Sequence, residues 1–192
     1  VATIKNRIIE GFVKEMEIKG MKFTMDDLVR RIGISKRTLY ENFSSKAEIL
    51  EVLIDETFAE VDDKTQRILQ DTELSTPQKI KGVITAVPSH RVLYDKNIFE
   101  QIKRFYPDQW EKFAEIFDND WEELRVLIHQ GIQEGIIANL DEKLIVKMTM
   151  EAVQSVHDQE FYIKNNISLT DAVSQIADII LFGILSTEKN RG

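Results

Sequence analysis

Between Thr24 and Lys46 the chain gathers side chains able to donate hydrogen bonds outward: Thr24, Ser35, Lys36, Arg37, Thr38, Tyr40, Asn42 and Lys46. Their types suit a nucleic-acid duplex. An arginine can make paired hydrogen bonds to a guanine edge, an asparagine to adenine, and a threonine methyl can meet thymine, while Lys, Ser, Thr and Tyr grip phosphate oxygens. At about 100° per residue, turning Leu39 and Phe43 inward makes Arg37 and Glu41 point most nearly outward. Lys36 and Tyr40 flank them on one side, Thr38 and Asn42 on the other. Glu41 is the acid in that row, and it can accept from cytosine N4 or rest in water beside a groove. Lys46 falls in the first turn of the next helix, where a cation opposes the macrodipole. That placement becomes favourable once a phosphate sits against the free N–H groups.

Capping chemistry defines the elements that must hold these groups, because the first N–H groups of a helix lack internal acceptors. Thr24 with Asp27 forms one candidate capping box and Ser45 with Glu48 another. Ser35 caps the piece between them, and Gly33 supplies the permissive backbone of the bend. Leu28, Val29 and Ile32 can then close over Leu39 and Phe43, with Ile34 in the corner. Ile8, Phe12 and Met16 recur at helical spacing as a third wall. The expectation is a three-helix helix-turn-helix domain over residues 1–46 that binds DNA.

This stretch resembles the TetR family of bacterial one-component transcriptional regulators. The resemblance rests on Gly20, Phe23, Thr24, Leu28, Val29, Gly33, Ile34, Ser35, Thr38, Leu39, Tyr40, Phe43, Lys46 and Leu50. It is close over the first quarter of the chain. Beyond that it extends to length, helical pattern and the turn around Gly135-Ile136. Leu28-Val29 stand where Ile-Ala is commoner, Ile32 replaces a usual Ala, and Arg37 stands where a small residue is frequent. The resemblance implies that Thr24, Tyr40 and Lys46 touch phosphates and that Lys36, Arg37 and Thr38 face bases. It also implies a homodimer whose last two helices pair with their symmetry mates as a four-helix bundle.

Charge is distributed unevenly. Residues 1–50 carry 10 Lys+Arg against 7 Asp+Glu, leaving 15 against 26 for residues 51–192, within a chain of net charge −8. A basic face backed by acidic bulk can still orient on a duplex and release counterions. With no cysteine, disulfides and thiolate metal sites are excluded, in keeping with a reducing, cytoplasmic setting. No apolar run approaches the length of a membrane span. The chain begins at Val1, so native residues, a basic arm among them, can precede it.

The remainder, residues 47–192, reads as a larger all-α domain for effector binding and dimerisation. A long helix is expected from Lys46 to about Gln70, Thr76 and Pro77 open the next, and Pro88 breaks the chain beyond it. One helix is expected from Pro107, with Phe113, Phe117, Trp121, Leu124 and Ile128 as a stripe, ending near Gly131 and Gly135. Another runs from Asp141 to about Lys164, and a last one starts at Ser168 with Asp171 and continues through Ile184. The final two are strongly apolar and are expected to make the dimer, although the same stripes would also serve a monomer's core. A two-fold dimer gives a single helix-turn-helix its two half-sites about 34–36 Å apart. Phe99, Phe105, Trp110, Phe113, Phe117 and Trp121, with Tyr106 among them, are candidates to line an apolar effector cavity, though an aromatic stripe also serves as ordinary core. Glu100, Arg104, His129 and His157 are polar candidates to orient a ligand, though each also serves as a surface or satisfied core side chain.

Catalysis is not expected. There is no phosphate-cradling glycine loop, no G-x-S-x-G elbow and no H-E-x-x-H, and His90, His129 and His157 are too dispersed to imply a metal or cofactor. The reading is a dimeric, ligand-responsive transcriptional regulator, a repressor, that binds a pseudo-palindromic double-stranded operator and is released by a small-molecule effector. The competing reading is a helical protein–protein interaction module that keeps the fold without binding DNA. Glu41 is its best argument; Lys36, Arg37, Tyr40 and Lys46 on one side argue against it.

Overall fold

The computed structural model describes residues 3–119, 121–157 and 159–185, and they are predominantly helical. Among them extended pairing is limited to an antiparallel Ile137–Leu185 bridge, and no helix is long and apolar enough to cross a membrane. The expected all-α class is the one observed. Contacts divide the chain into two compact units, one running through Glu60 and including Pro88–Ile116, the other comprising Val61–Val87 and the residues from Phe117 onward. The long helix Lys46–Gln70 starts at residue 46, and the division into units falls after Glu60 within it.

In the first unit, α1 (Ile4–Lys19) starts on Thr3, whose hydroxyl oxygen accepts the Asn6 N–H. α2 (Met25–Ile32) starts on the expected Thr24–Asp27 capping box, and α3 (Lys36–Asn42) on Ser35. α4 (Lys46–Gln70) comes next. Ser45 accepts from the Glu48 N–H as expected, but the Glu48 carboxylate turns to the N–H and hydroxyl of Ser44 instead. Ile8, Phe12 and Met16 meet Leu28, Leu39 and Phe43 in a core where all six are at most 2 % exposed. Val29, Ile32 and Ile34 are only partly buried and form its margin. Phe12 and Phe23 add an edge-on contact at 5.0 Å. The buried Glu15 on α1 binds Arg31 of α2 and, at 3.0 Å, Lys19, so an ionic clasp joins the two helices beside the apolar core.

The second unit holds α5 (Thr76–Ile84), α8 (Glu122–Gln133), α9 (Glu142–Gln154), α10 (Gln159–Lys164) and α11 (Leu169–Ile184). Between α5 and α8 the chain forms α6 (Lys96–Phe105) and α7 (Pro107–Asn119). The core of this unit is aliphatic, with Ile80, Leu124, Ile128, Val173 and Ala177 fully or nearly enclosed. An ion pair from Lys81 to Asp178, 2.6 Å, links α5 to α11.

Three expected boundaries differ. α5 is capped by Ser75 in a box with Gln78, which moves Pro77 to the second helical position. The single helix expected from Pro107 to Gly131 is two helices, with Trp121 in a non-helical backbone conformation at the start of α8. The helix expected from Asp141 to Lys164 passes into a 3-10 turn at Ser155–His157 before α10. There the Ser155 hydroxyl donates to the Ala152 carbonyl at 2.6 Å, a local bond that tightens a helix end.

Candidate nucleic-acid interface

The bend between α2 and α3 is made by Gly33 in the left-handed region, φ 66° and ψ 40°, and its N–H returns to the Val29 carbonyl. The carbonyl of Ile32 beside it accepts from Arg7 of α1 at 3.0 Å. α3 emerges from this bend with Leu39 buried beneath it. Lys36, Arg37, Tyr40 and Glu41 are exposed, and Thr38 and Asn42 are half-buried at the edge. The outward face inferred from helical geometry is therefore the face presented.

Each of its groups has a definite setting. The Arg37 Nε donates to Glu41 Oε1 at 2.8 Å, and the Lys36 ammonium pairs with Asp26 of α2 at the same distance. The Ser35 oxygen accepts from the Thr38 N–H at 3.0 Å and shares a hydrogen with the Thr38 hydroxyl. The Asn42 amide is turned back to donate to the Thr38 carbonyl at 2.8 Å. Thr24 is occupied as a cap: its N–H and hydroxyl both donate to Asp27 at 2.8 Å. To reach a phosphate, its hydroxyl must turn away from that carboxylate.

Lys46 is set differently from the other cations. Its ammonium donates to the carbonyls of Met21 and Phe23, at 2.8 and 2.6 Å, and lies 3.9 Å from the centre of the Phe23 ring. Burial pushes it down to about 8, against the pull of the Asp27 carboxylate. The charge thus fastens the start of α4 to the turn preceding α2, and one of its three N–H groups remains for a phosphate. The same turn is held from the other side, because Gln101 of α6 accepts the Met21 N–H at 2.8 Å. Gly20 permits that approach: its φ is 60°, and a Cβ there would collide with the Gln101 side-chain amide. Asp26 and Gln101 are site residues that spacing did not reveal, since each reaches across a turn or across the chain. Glu41 was legible at four residues from Arg37.

The carboxylates of this unit carry a pH dependence. Hydrogen bonds from the Thr24 backbone and hydroxyl hold Asp27 far below the ordinary carboxylate range. Burial raises Glu15, but hydrogen bonds from Lys19 and Arg31 outweigh it and leave it lowered, and Ser44 lowers Glu48. The unfolded chain therefore binds more protons than the folded one at acid pH. The stability these groups contribute is complete above about pH 5 and is lost as pH falls through the folded values. The unfolding temperature should drop between pH 5 and pH 3, and Asp27→Asn should flatten that slope; a slope unchanged in this variant would count against the assignment.

The candidate effector residues fall into two groups. Phe99, Trp110 and Phe113 pack with Phe58 in the first unit, with ring centres 5.1 to 5.8 Å apart. Phe105 is half exposed, with the Arg104 guanidinium 5.3 Å from its ring centre. Tyr106 is half-buried and Glu100 exposed. Phe117 and Trp121 make an edge-on pair at 6.5 Å in the second unit, where the Trp121 indole N–H is buried without an acceptor among the described residues. His129 lies on the surface, hydrogen-bonded at 2.8 Å to Glu142, which also pairs with Arg125. The side chain of His157 lies outside the described residues.

Comparison with known proteins fits this geometry. Residues 8–53 match the family model described as bacterial regulatory proteins, tetR family, which spans α1 to the first part of α4. YvaF of Bacillus subtilis (strain 168), an uncharacterized HTH-type transcriptional regulator, is 26% identical over 183 residues, covering 95% of this chain and 96% of that protein. The ketosteroid transcriptional regulator KstR2 of Mycobacterium tuberculosis superposes with a TM-score of 0.76 at 18% identity, covering 97% of each chain. The transcriptional regulator FadR from Bacillus subtilis, solved in complex with stearoyl-CoA, superposes with a TM-score of 0.67 at 18% identity, over 93% of this chain and 98% of that one. With its capped α2–bend–α3 unit, the segment 8–53 is a helix-turn-helix of the tetR family type, and beyond it the chain shares the helical fold of the solved TetR-family regulators it resembles.

Proposed function

We propose that the chain binds a pseudo-palindromic operator in double-stranded DNA as a homodimer, represses the genes beside it, and is released by a small-molecule effector. The observation that carries this reading is the α3 surface, where Lys36, Arg37 and Tyr40 stand exposed over a rigid buried core. Thr24 acts first as the cap of α2, Ser35, Thr38 and Asn42 act first as the cap and braces of α3, and the remaining Lys46 N–H meets the backbone.

Dimerisation through the last helices is supported by their apolar exposure. Leu144 and Met148 on α9, Phe161 and Ile163 on α10, and Ile179 and Phe182 on α11 are all more than half exposed. A groove of about 330 Å³ between α9 and α11 is lined by Leu144, Met148, Ile179 and Gly183. Apolar surface of this extent marks an association face. An effector site in the second unit is supported by the unmet Trp121 donor beside Phe117. The stearoyl-CoA bound by FadR is a precedent for a large apolar ligand in this fold. Release results if the effector binds unequally to two dimer states, only one of which matches its α3 pair to adjacent major grooves.

Selection of bound fragments from genomic DNA at stated salt tests the reading. On the selected site, Arg37→Ala should lose about 1–3 kcal/mol of base discrimination. Equal affinity of the variant for selected and scrambled sites, with the wild type equally indifferent, would overturn it. The interaction-module reading keeps one specific support, that carboxylates neutralise both Lys36 and Arg37. It requires DNA binding to be absent at low salt as well as high.

A further inference from the structure

Glu41 is placed where neither helix stability nor DNA attraction favours an acid. It lies in the last turn of α3, the negative end of the helix dipole, and no basic residue shares that turn. Its partner Arg37 precedes it by four residues, the less favourable order for such a pair, and both side chains are mostly exposed, at 57% and 86%. On the proposed reading face its charge also repels phosphates. One thing it does well is hold Arg37: the 2.8 Å bond takes the guanidinium Nε and leaves the two terminal nitrogens outside it.

We infer that Glu41 is a positioning residue that makes Arg37 a reader of guanine. With Nε held, the guanidinium offers its end-on pair of donors, which match the O6 and N7 acceptors of guanine in the major groove. A tethered Arg37 is also kept from swinging to a nearby phosphate, where it would add affinity for every sequence and discrimination for none. Once the groove excludes water the Arg37–Glu41 bond strengthens, so the brace acts where the base is read. Glu41 thereby lowers affinity for DNA in general and raises the preference for one base.

The inference rests on the DNA-binding reading, and the experiment separates the two. A library of duplexes with randomised sequence is selected with the full-length chain and with the Glu41→Ala, Glu41→Gln, Arg37→Ala and Arg37→Ala/Glu41→Ala variants. The wild type should enrich guanine at one position in each half-site. Glu41→Ala should lower that preference by about tenfold while binding scrambled duplex more tightly, and Glu41→Gln, which keeps an acceptor oxygen at the same reach, should fall between. In the Arg37→Ala background, Glu41→Ala should leave that position unchanged, which a merely structural role would not produce. A guanine preference retained in Glu41→Ala, or a Glu41→Ala effect on that position just as large when Arg37 is already alanine, overturns the positioning role and leaves the DNA-binding reading standing. No enrichment of any sequence by the wild type overturns both.

Discussion

Phe182→Asp is expected to leave the chain monomeric at micromolar concentration and to weaken operator binding by about 10²- to 10⁴-fold, the advantage lost when two linked contacts become one. Phe182 is 81% exposed on α11, and Ile179 one turn earlier is 71% exposed. Large apolar side chains so placed contribute nothing to their own unit's core, so the substitution spares the fold. In the proposed dimer the same side chains would meet their symmetry mates across a two-fold axis, so that each change enters the interface twice. An aspartate there must be desolvated opposite apolar surface without a partner. Sedimentation equilibrium with helical content measured in parallel checks this: a folded monomer that binds one half-site weakly is expected, and a variant that remains a dimer would remove α11 from the interface.

Phe12→Ala should be the most damaging single truncation in the first unit, at about 3–5 kcal/mol. Phe12 has no exposed surface, sits on α1 between Ile8 and Met16, and closes edge-on against Phe23 in the turn that Lys46 and Gln101 both grip. The cavity left by its ring adjoins backbone fastened on two sides, so little collapse can refill it. That loss is a large fraction of a typical domain's total stability. DNA binding should disappear together with the unfolding midpoint in denaturant titration. A change below about 1 kcal/mol would mean that α1 is not integral to the unit that presents α3.

Much of the α2–bend–α3 unit is legible in the sequence, because its determinants are local. The Thr24–Asp27 box, the Ser35 cap and the Gly33 bend act over three or four residues, and a buried Leu39 dictates where Arg37 points. Local reasoning erred where two candidate caps adjoin: Ser75 and Gln78 hold the box spacing, while Thr76 is one place too late. It also missed the break after α7, since the apolar stripe through Phe113, Phe117, Trp121 and Leu124 stays in helical phase across it.

What lay beyond reach was the partner of each polar group over long distance. Lys46 is a cation at a helix start in sequence. Its commitment to carbonyls 25 and 23 residues earlier depends on how the turn at Met21 folds back. The Gln101 oxygen on the Met21 N–H, 80 residues apart, has no sequence signature at all. The candidate effector aromatics illustrate the same limit, since spacing groups them in one stripe and packing separates Phe99, Trp110 and Phe113 from Phe117 and Trp121.

On the proposed function, the exposed side of α3 enters a DNA groove. Because the chain contains no cysteine, Lys36→Cys creates a unique attachment point for a DNA-cleaving chelate on that surface. With the reagent attached and the dimer bound to its selected site, strand scission should cluster at two positions about 34–36 Å apart, one helical turn centre to centre. Binding with uniform scission, or with cuts confined to flanking sequence, would exclude α3 from the groove.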